Sequence, residues 1–398
     1  MKRGGRQLKI AFQTMGGDHW KAGVIILKNL CYAIRQTYQD DVHLILLGIR
    51  DRGKLQQYSS SVGADDAILF DTPERWRPLW MINAVMKHVM SSDVVLEHFL
   101  RRRMVDMVCG LTITNRYGRI PTLSWIPDFQ HIHLPEMFTE TERASRNRAF
   151  LKTARNSTRI LLFSDAVKKD FESFAPMYAH KARVLHPTSY VPEWVYDCDH
   201  SAILTTYHIP EKFVFLPNQF WKHKNHEVVF RAVEALKCIG KRVVVVCSGY
   251  PVDYRHPGYF GELWREVSRR DIRDQITYLG LIPQEDVLLL MRQSVCVLNP
   301  SLFEGWGISV DEARSVGKQV LLSDIPAHRE QNVPRAVFFR ADDHEDLACK
   351  LGKIWEETPP GPDSELEEEA RRDLARRIRA HAESFISIVR EVIGSDSS

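Results

Sequence analysis

The sequence is short of most features that assign a chain quickly. Its seven cysteines (Cys31, Cys109, Cys198, Cys238, Cys247, Cys296, Cys349) are scattered and odd in number, with no Cys-x-x-Cys pair. That argues against a disulfide framework or a zinc site and fits a reducing compartment. No apolar run approaches the roughly 20 residues a spanning helix needs. The amino terminus, MKRGGRQLKIAF, has basic residues but no long apolar stretch after them, so no signal peptide is expected. Charge of one sign is missing too: 54 basic against 51 acidic residues leave +3, without the concentrated basic face of nucleic-acid readers. Short-period repeats and low-complexity tracts are absent. These absences predict a cytoplasmic protein, at most in peripheral contact with a membrane surface, with no nucleic-acid partner.

What is present is alternation. With 398 residues and 44% hydrophobic composition, two domains are the natural expectation. Segments 9–15, 42–48, 66–71, 104–109, 121–126 and 160–164 read as short apolar strands, and 21–36 has helical spacing (Val24, Leu27, Leu30, Ile34). A second set, 213–217, 242–248, 276–280, 295–298 and 319–323, alternates with helical segments such as 227–238 and 284–293. This is the pattern of βα units around parallel sheets, an α/β fold. The stretch 187–210 holds three prolines and reads as the interdomain linker. The charged tail 364–394 reads as a helix with one docking side (Phe385, Ile386, Ile388, Val389, Val392). Trp76, Trp80, Met81, Met86 and Met90 fit a core helix better than a membrane-facing one.

The most informative segment is PSLFEGWGISVDEARSVGK, 300–318. It reads as strand, glycine loop (Gly305, Trp306, Gly307), then helix, with Gly317 as the stop. The helix N-terminus faces the loop and offers a site for phosphate. Glu304 lies in the loop and Glu312 inside the helix, with seven residues between them. Carboxylates framing an anion site suggest a ligand with both phosphate and hydroxyls. In FLPNQFWKHKN, Lys222 and Lys224 precede a helix that Asn225 would cap. A lysine there can meet a phosphate, or simply sit in a solvated loop. Gly16 and Gly17 follow the first strand as either a phosphate loop or a plain turn; the G-x-G-x-x-G spacing is absent. Asp128 and His131, in SWIPDFQHIHLPE with His133 and Glu136, are acid–base candidates or surface groups of a prolyl turn. No metal cluster is expected.

Together these segments resemble glycosyltransferase family 4, the retaining GT-B enzymes. The E-x7-E element is complete (Glu304, Glu312, with EGxG), SDIPAHREQ (323–331, with Glu330) resembles the strand and loop that follow it, and RILLFSDAVKKDF (159–171) resembles the end of the first domain. The resemblance implies two Rossmann-like domains across a cleft: 1–195 for the acceptor, 196–375 for the nucleotide sugar, and a helix 376–398 crossing back. It implies Glu304 at the donor sugar and Glu312 at the ribose. The backbone of Gly305, Trp306 and Gly307 would approach sugar and diphosphate, with Lys224 and the neighbouring Gln219 at the diphosphate. Leu281 and Ile282 would meet the base, and Gly16 and Gly17 would lie near the diphosphate from the other domain. Asp128 or His131 would carry the first-domain role. Many relatives have arginine where Gln219 stands and histidine where Pro127 stands. The implied activity is metal-independent transfer of a hexose from a UDP- or GDP-sugar, used as co-substrate with no cofactor, to a glycan, lipid-linked or small-molecule hydroxyl in polysaccharide biosynthesis. Rival readings on the same fold are an epimerase, a phosphorylase or a silent binding module.

Overall fold

The computed structural model describes residues 2–3, 6–15, 21–49, 52–70, 78–198 and 202–394. The chain divides into two compact units: Met1–Ile132 with Thr139–Thr188 and Arg377–Ser398, and Ser189–Arg376 with His133–Phe138.

The first unit contains β1 (Lys2–Arg3), β2 (Arg6–Gln13), β3 (Val42–Ile49), β4 (Asp66–Phe70), β5 (Met107–Leu111), β6 (Thr122–Trp125), β7 (Arg159–Leu162) and β8 (Ala182–Val184). They lie in the order β4-β3-β2-β5-β6-β7-β8, with β1 antiparallel on β2 and every other pairing parallel. β5 and β6 are buried at nearly every position, as strands covered by helices on both faces must be. The sequence predicts a strand from 104, but β5 starts at Met107. Met104 turns at φ 56°, and Asp106 is engaged by the Lys9 amide and the Arg6 guanidinium.

The end of the helix Ser364–Gly394 belongs to this unit. Its predicted docking side is buried, and Phe385 stacks on Phe12 with ring centroids 5.9 Å apart. Hydrogen bonds from Arg183 and Arg159 hold the Glu391 carboxyl down at about 2 and fasten the helix to β7 and β8.

The helix Pro78–Val89 departs from its predicted core role. Only Asn83 is buried, and Leu79, Met81, Ile82, Val85 and Val89 are each at least half exposed, as is Met90 just beyond. Its inward contact is polar: Asn83 donates to the buried Asp93 carboxylate at 3.0 Å. Trp76 lies outside the described residues.

The second unit contains β9 (Val214–Leu216), β10 (Val245–Cys247), β11 (Ile276–Tyr278), β12 (Val297–Asn299), β13 (Val320–Ser323) and β14 (Val337–Phe339). Their order is β11-β10-β9-β12-β13-β14, all parallel. This is the doubly wound 3-2-1-4-5-6 arrangement, whose winding reverses between β9 and β12. Ligands bind outside the carboxyl ends of the strands at that reversal. The helices His226–Cys238 and His344–Glu357 supply Val229, Val233, Leu236, Leu347, Leu351 and Ile354 to the core.

The stretch 187–210 is not a loose linker. From Ser189 onward it belongs to the second unit. The Ser189 amide donates to Asp311 and the Tyr196 hydroxyl to the Ser315 carbonyl, both at 2.5 Å, and Val195 is fully buried. Prolines break its helical pattern, but its backbone and the Tyr196 hydroxyl still find partners on the helix Ile308–Ser315, and the Val195 carbonyl accepts from Arg292.

Candidate active site

Because β9 and β12 are neighbours at the reversal, the loops leaving their carboxyl ends lie side by side. The loop after β9 ends in a tight turn, Lys222–Lys224, before the helix His226–Cys238. The loop after β12 runs through the glycines to the helix Ile308–Ser315. The Leu302 amide donates to the His223 carbonyl at 2.8 Å. The sequence predicts Asn225 as a helix cap, but it sits at φ 56° and makes no side-chain cap bond. Its amide instead donates to the carbonyls of Pro300 (3.2 Å) and Ala341 (2.8 Å), tying the two loops together.

The result is contact between two groups 80 positions apart. Lys224 Nζ lies 2.5 Å from Glu304 Oε1, with the side chains only 17% and 10% exposed. The Ser301 hydroxyl donates to the same oxygen at 2.7 Å. Beneath the pair is a closed polar ring. Asn218 donates to Asn299 (3.1 Å), Asn299 to Ser309 (3.3 Å), and Ser309 back to Asn218 (3.4 Å). All three are buried, so the ring locks both strand ends to the first turn of the helix. Sequence reasoning missed it. Its signal was an asparagine closing each of two apolar strands.

Burial by itself would raise the Glu304 carboxyl, but the Lys224 cation and the hydrogen bonds from Lys224 and Ser301 outweigh it and leave the group below the usual carboxylate range. His328 is fully buried, and burial lowers its pKa, so it is neutral. Its Nδ1 lies 2.9 Å from the Ser323 carbonyl and carries the proton. Its Nε2 is then an acceptor, without a partner among the described residues, beside Gly307. Gly307 has φ 90°, and a Cβ there would stand 3.5 Å from that nitrogen. Gln331 donates to the Trp306 and Gly307 carbonyls at 2.5 and 3.2 Å, holding the glycine loop in shape. The Trp306 side chain is buried, leaving the loop backbone to meet a ligand.

Glu312 is more buried than its place in an exposed-looking helix suggests, at 4% exposure. Burial, with Asp311 adding to it, pushes its carboxyl up to about 8. Gln284 donates to it at 2.7 Å, which places Leu281 and Ile282, just ahead of Gln284, next to this end of the site. Gln219 is half-buried. A Cβ on Gly249, at φ 148°, would stand 2.4 Å from the Asn218 carbonyl oxygen, so only glycine lets β10 lie against this loop. The exposed Lys222 donates its amide to Asp253, and Arg329 is held by Asp324 through two 2.7 Å bonds.

The first-unit candidates Asp128 and His131 are held by residues of their own unit. Asp128 accepts from the Gln130 amide at 3.0 Å, with Arg146 at 3.7 Å. His131 is 2% exposed, 2.8 Å from Asn147 and edge-on to Phe150. Burial lowers its pKa, and these contacts give it a packing role. Gly16 and Gly17 lie outside the described residues. The chain does contain one Asp-x-Asp, 197–199. Asp197 ends the short helix Trp194–Asp197, 3.7 Å from Arg371, and Asp199 is outside the described residues.

The raised Glu312 pKa makes a prediction about stability. Between the ordinary 4.5 and about 8, the folded protein keeps a proton that the unfolded chain has lost. Stability therefore falls as pH rises through that window. Glu312→Gln removes the penalty and keeps the Gln284 contact. Without ligand, the variant should melt a few degrees higher than wild type at pH 8, since 1 kcal/mol corresponds to about 2–4 °C in a chain of this kind. The gap should close toward pH 4.5. A lower melting temperature at pH 8 would show that the carboxylate stabilises the fold.

Two doubly wound parallel-sheet units, the second with a cation–carboxylate pair at its reversal point, define the GT-B architecture. The fold of HepE from Anabaena, in complex with UDP and glucose, superposes on 98% of this chain and 100% of its own with a TM-score of 0.66 at 17% identity. Sucrose-phosphate synthase from Thermosynechococcus elongatus gives 0.67 at 12% identity, over 98% and 100%. Residues 207–378 match the family model described as Glycosyl transferases group 1, so this part of the chain is similar to the group 1 glycosyltransferases. It is 24% identical over 144 residues to the O-antigen chain mannosyltransferase RfbU of Salmonella typhimurium, 36% of this chain and 38% of that one. It is 36% identical over 63 residues to O-antigen chain mannosyltransferase B of Escherichia coli, 16% of each. The chain thus spans well under half the length of these curated relatives. No helix among the described residues is long and apolar enough to cross a membrane.

Proposed function

We propose that this protein is a retaining glycosyltransferase that moves a hexose from a UDP- or GDP-sugar to a hydroxyl of a glycan or lipid-linked acceptor. The observation that carries this reading is the Lys224–Glu304 pair at the β9–β12 reversal. Lys224 and the free amides of the helix Ile308–Ser315 take the diphosphate, and Glu312 takes the ribose diol next to the base-facing Leu281 and Ile282. Glu304 and the acceptor nitrogen of His328 take sugar hydroxyls beside Gly307. The solved complex of HepE with UDP-glucose and the mannosyltransferase relatives support a nucleoside-diphosphate hexose as donor.

The chemistry asked of the protein is positioning and charge stabilisation. The anomeric C–O bond breaks with its electron pair leaving on the diphosphate, where Lys224 meets the growing charge. Glu304 faces the carbon that becomes positive. The acceptor oxygen bonds that carbon on the face the diphosphate leaves, and its proton passes to the departing phosphate oxygen, the nearest base on that face. Asp128 of the first unit is the candidate for orienting the acceptor.

The test is a thermal-shift panel of UDP-, GDP-, ADP- and TDP-sugars, followed by donor turnover in excess EDTA. One donor should raise the melting temperature and be consumed with EDTA present. No shift with any donor would sink the reading; turnover lost in EDTA and rescued by Mn²⁺ or Mg²⁺ would replace lysine with a metal at the diphosphate.

A further inference from the structure

A second polar cavity lies wholly within the first unit and takes no part in the function proposed above. It has a volume of about 710 Å³ and is lined by Arg101, Arg116, Arg119, Arg155 and Lys181, with Asp106 as its one acidic residue. Asp106, Thr122, Thr158 and Lys181 place it at the amino-terminal ends of β5, β6, β7 and β8. That is the edge of a parallel sheet opposite to where its carboxyl-end ligands bind.

The charge in this cavity is not balanced by the protein. Asp106 is already taken by Arg6 through two 2.8 Å bonds. Arg101 meets the Glu97 carboxylate at 3.4 Å, and that carboxylate lies against Gly118 at the cavity wall. Arg116, Arg119 and Arg155 meet no carboxylate among the described residues. Lys181 donates to three backbone carbonyls, those of Ala154 (2.9 Å), Arg155 (3.1 Å) and Ser157 (2.8 Å). Burial, Arg116 and Arg159 pull its pKa down to about 8, a sign of cations crowded together.

Basic residues at helix ends have an ordinary explanation, because a helix C-terminus offers about half a negative charge. Here the helices Val94–Arg102 and Glu140–Asn156 both end at the cavity. Together they offset about one of the five cations, which leaves several uncompensated. The loop carrying Arg116 and Arg119 is also firmly held. The Arg116 amide donates to the Ser91 carbonyl at 2.7 Å, and the Asp93 amide donates to the Arg116 carbonyl at 2.9 Å. The Asn156 amide donates to the Thr114 carbonyl at 2.7 Å. Fixed loops that hold unpaired guanidinium groups together are built for an anion of more than one charge. Guanidinium forks match phosphate oxygens two at a time.

We propose that this cavity binds a ligand bearing phosphate monoester or polyphosphate groups, separately from any ligand of the β9–β12 site. Its volume accommodates a phosphorylated small molecule or the phosphate headgroup of a lipid.

Inorganic tripolyphosphate is the soluble probe, titrated calorimetrically into the full chain. Vesicles of phosphatidylcholine with and without phosphatidic acid are the lipid probe. Arg116→Ala/Arg119→Ala should weaken the tripolyphosphate response at least ~10-fold, as expected when two charge-assisted contacts are lost. The shift produced by a nucleotide sugar should stay unchanged. Both arginines are exposed, so the melting temperature should hold; if it drops, Arg119→Ala alone carries the comparison. Tripolyphosphate binding lost in the variant assigns a soluble phosphate ligand. Binding only to phosphatidic acid vesicles, and lost in the variant, assigns a lipid headgroup. Responses to both probes that are unchanged in the variants overturn the proposal.

Discussion

Glu304→Gln should lower kcat by ~10²-fold or more while leaving nucleoside-diphosphate affinity unchanged or tighter. The geometry makes both halves of that result necessary. Glu304 holds Lys224 at 2.5 Å. A diphosphate must draw the ammonium away from that carboxylate, so a neutral glutamine releases the lysine and favours the diphosphate. The same carboxylate, kept ionised by Lys224 and Ser301, is the charge proposed to face the anomeric carbon as it becomes positive. Glutamine keeps the size and can still accept from Ser301, so circular dichroism should match wild type. Steady-state kinetics with the donor found in the thermal-shift panel, paired with calorimetry of the free nucleoside diphosphate, reads both quantities. A variant with nearly full kcat would remove Glu304 from the reacting centre.

Lys224→Met should give the opposite signature. Nucleoside-diphosphate affinity should fall by about 1.5–3 kcal/mol, the range for a hydrogen bond to a charged group, which is roughly 10- to 150-fold. Turnover should fall as well, because the cation meets the diphosphate before and during bond breaking. Among the described residues of this loop and its neighbours, the other candidates are already committed or turned away. Gln219 is neutral, Arg329 is bound to Asp324, and the Lys222 side chain is exposed. Without its cation the buried Glu304 should take up a proton more readily, so the residual activity should shift its pH profile upward. Unchanged diphosphate affinity in calorimetry would show that the lysine serves the fold alone.

Much of the architecture was legible in the chain. Short apolar runs at regular spacing predict two parallel sheets, because a strand buried on both faces has no polar side to show. The second sheet follows them closely, with β9, β10, β11, β12 and β13 all inside or within one residue of predicted segments. β8 and β14 escaped notice because they are edge strands, only partly buried, and need no continuous apolar run. The glycine loop was legible too, since Gly307 at φ 90° is a local backbone demand.

Other features depended on what packs against what. Burial of a side chain is a property of its neighbours, and period alone cannot name them. The helix Pro78–Val89 has the composition of a core element and faces solvent. His131 has the composition of a site residue and sits against Phe150. Glu312 has the composition of an exposed helical residue, yet burial raises its carboxyl to about 8.

The sequence by itself determined the two cores, the loops that leave their strands and the residue types those loops offer. Only the tertiary structure decided that the loop with Lys224 meets the loop with Glu304. That choice rests on the strand order β11-β10-β9-β12-β13-β14, which sets two strands about eighty residues apart side by side. Parallel pairing is selected by long-range burial of whole faces, a sum over many residues that no local pattern records.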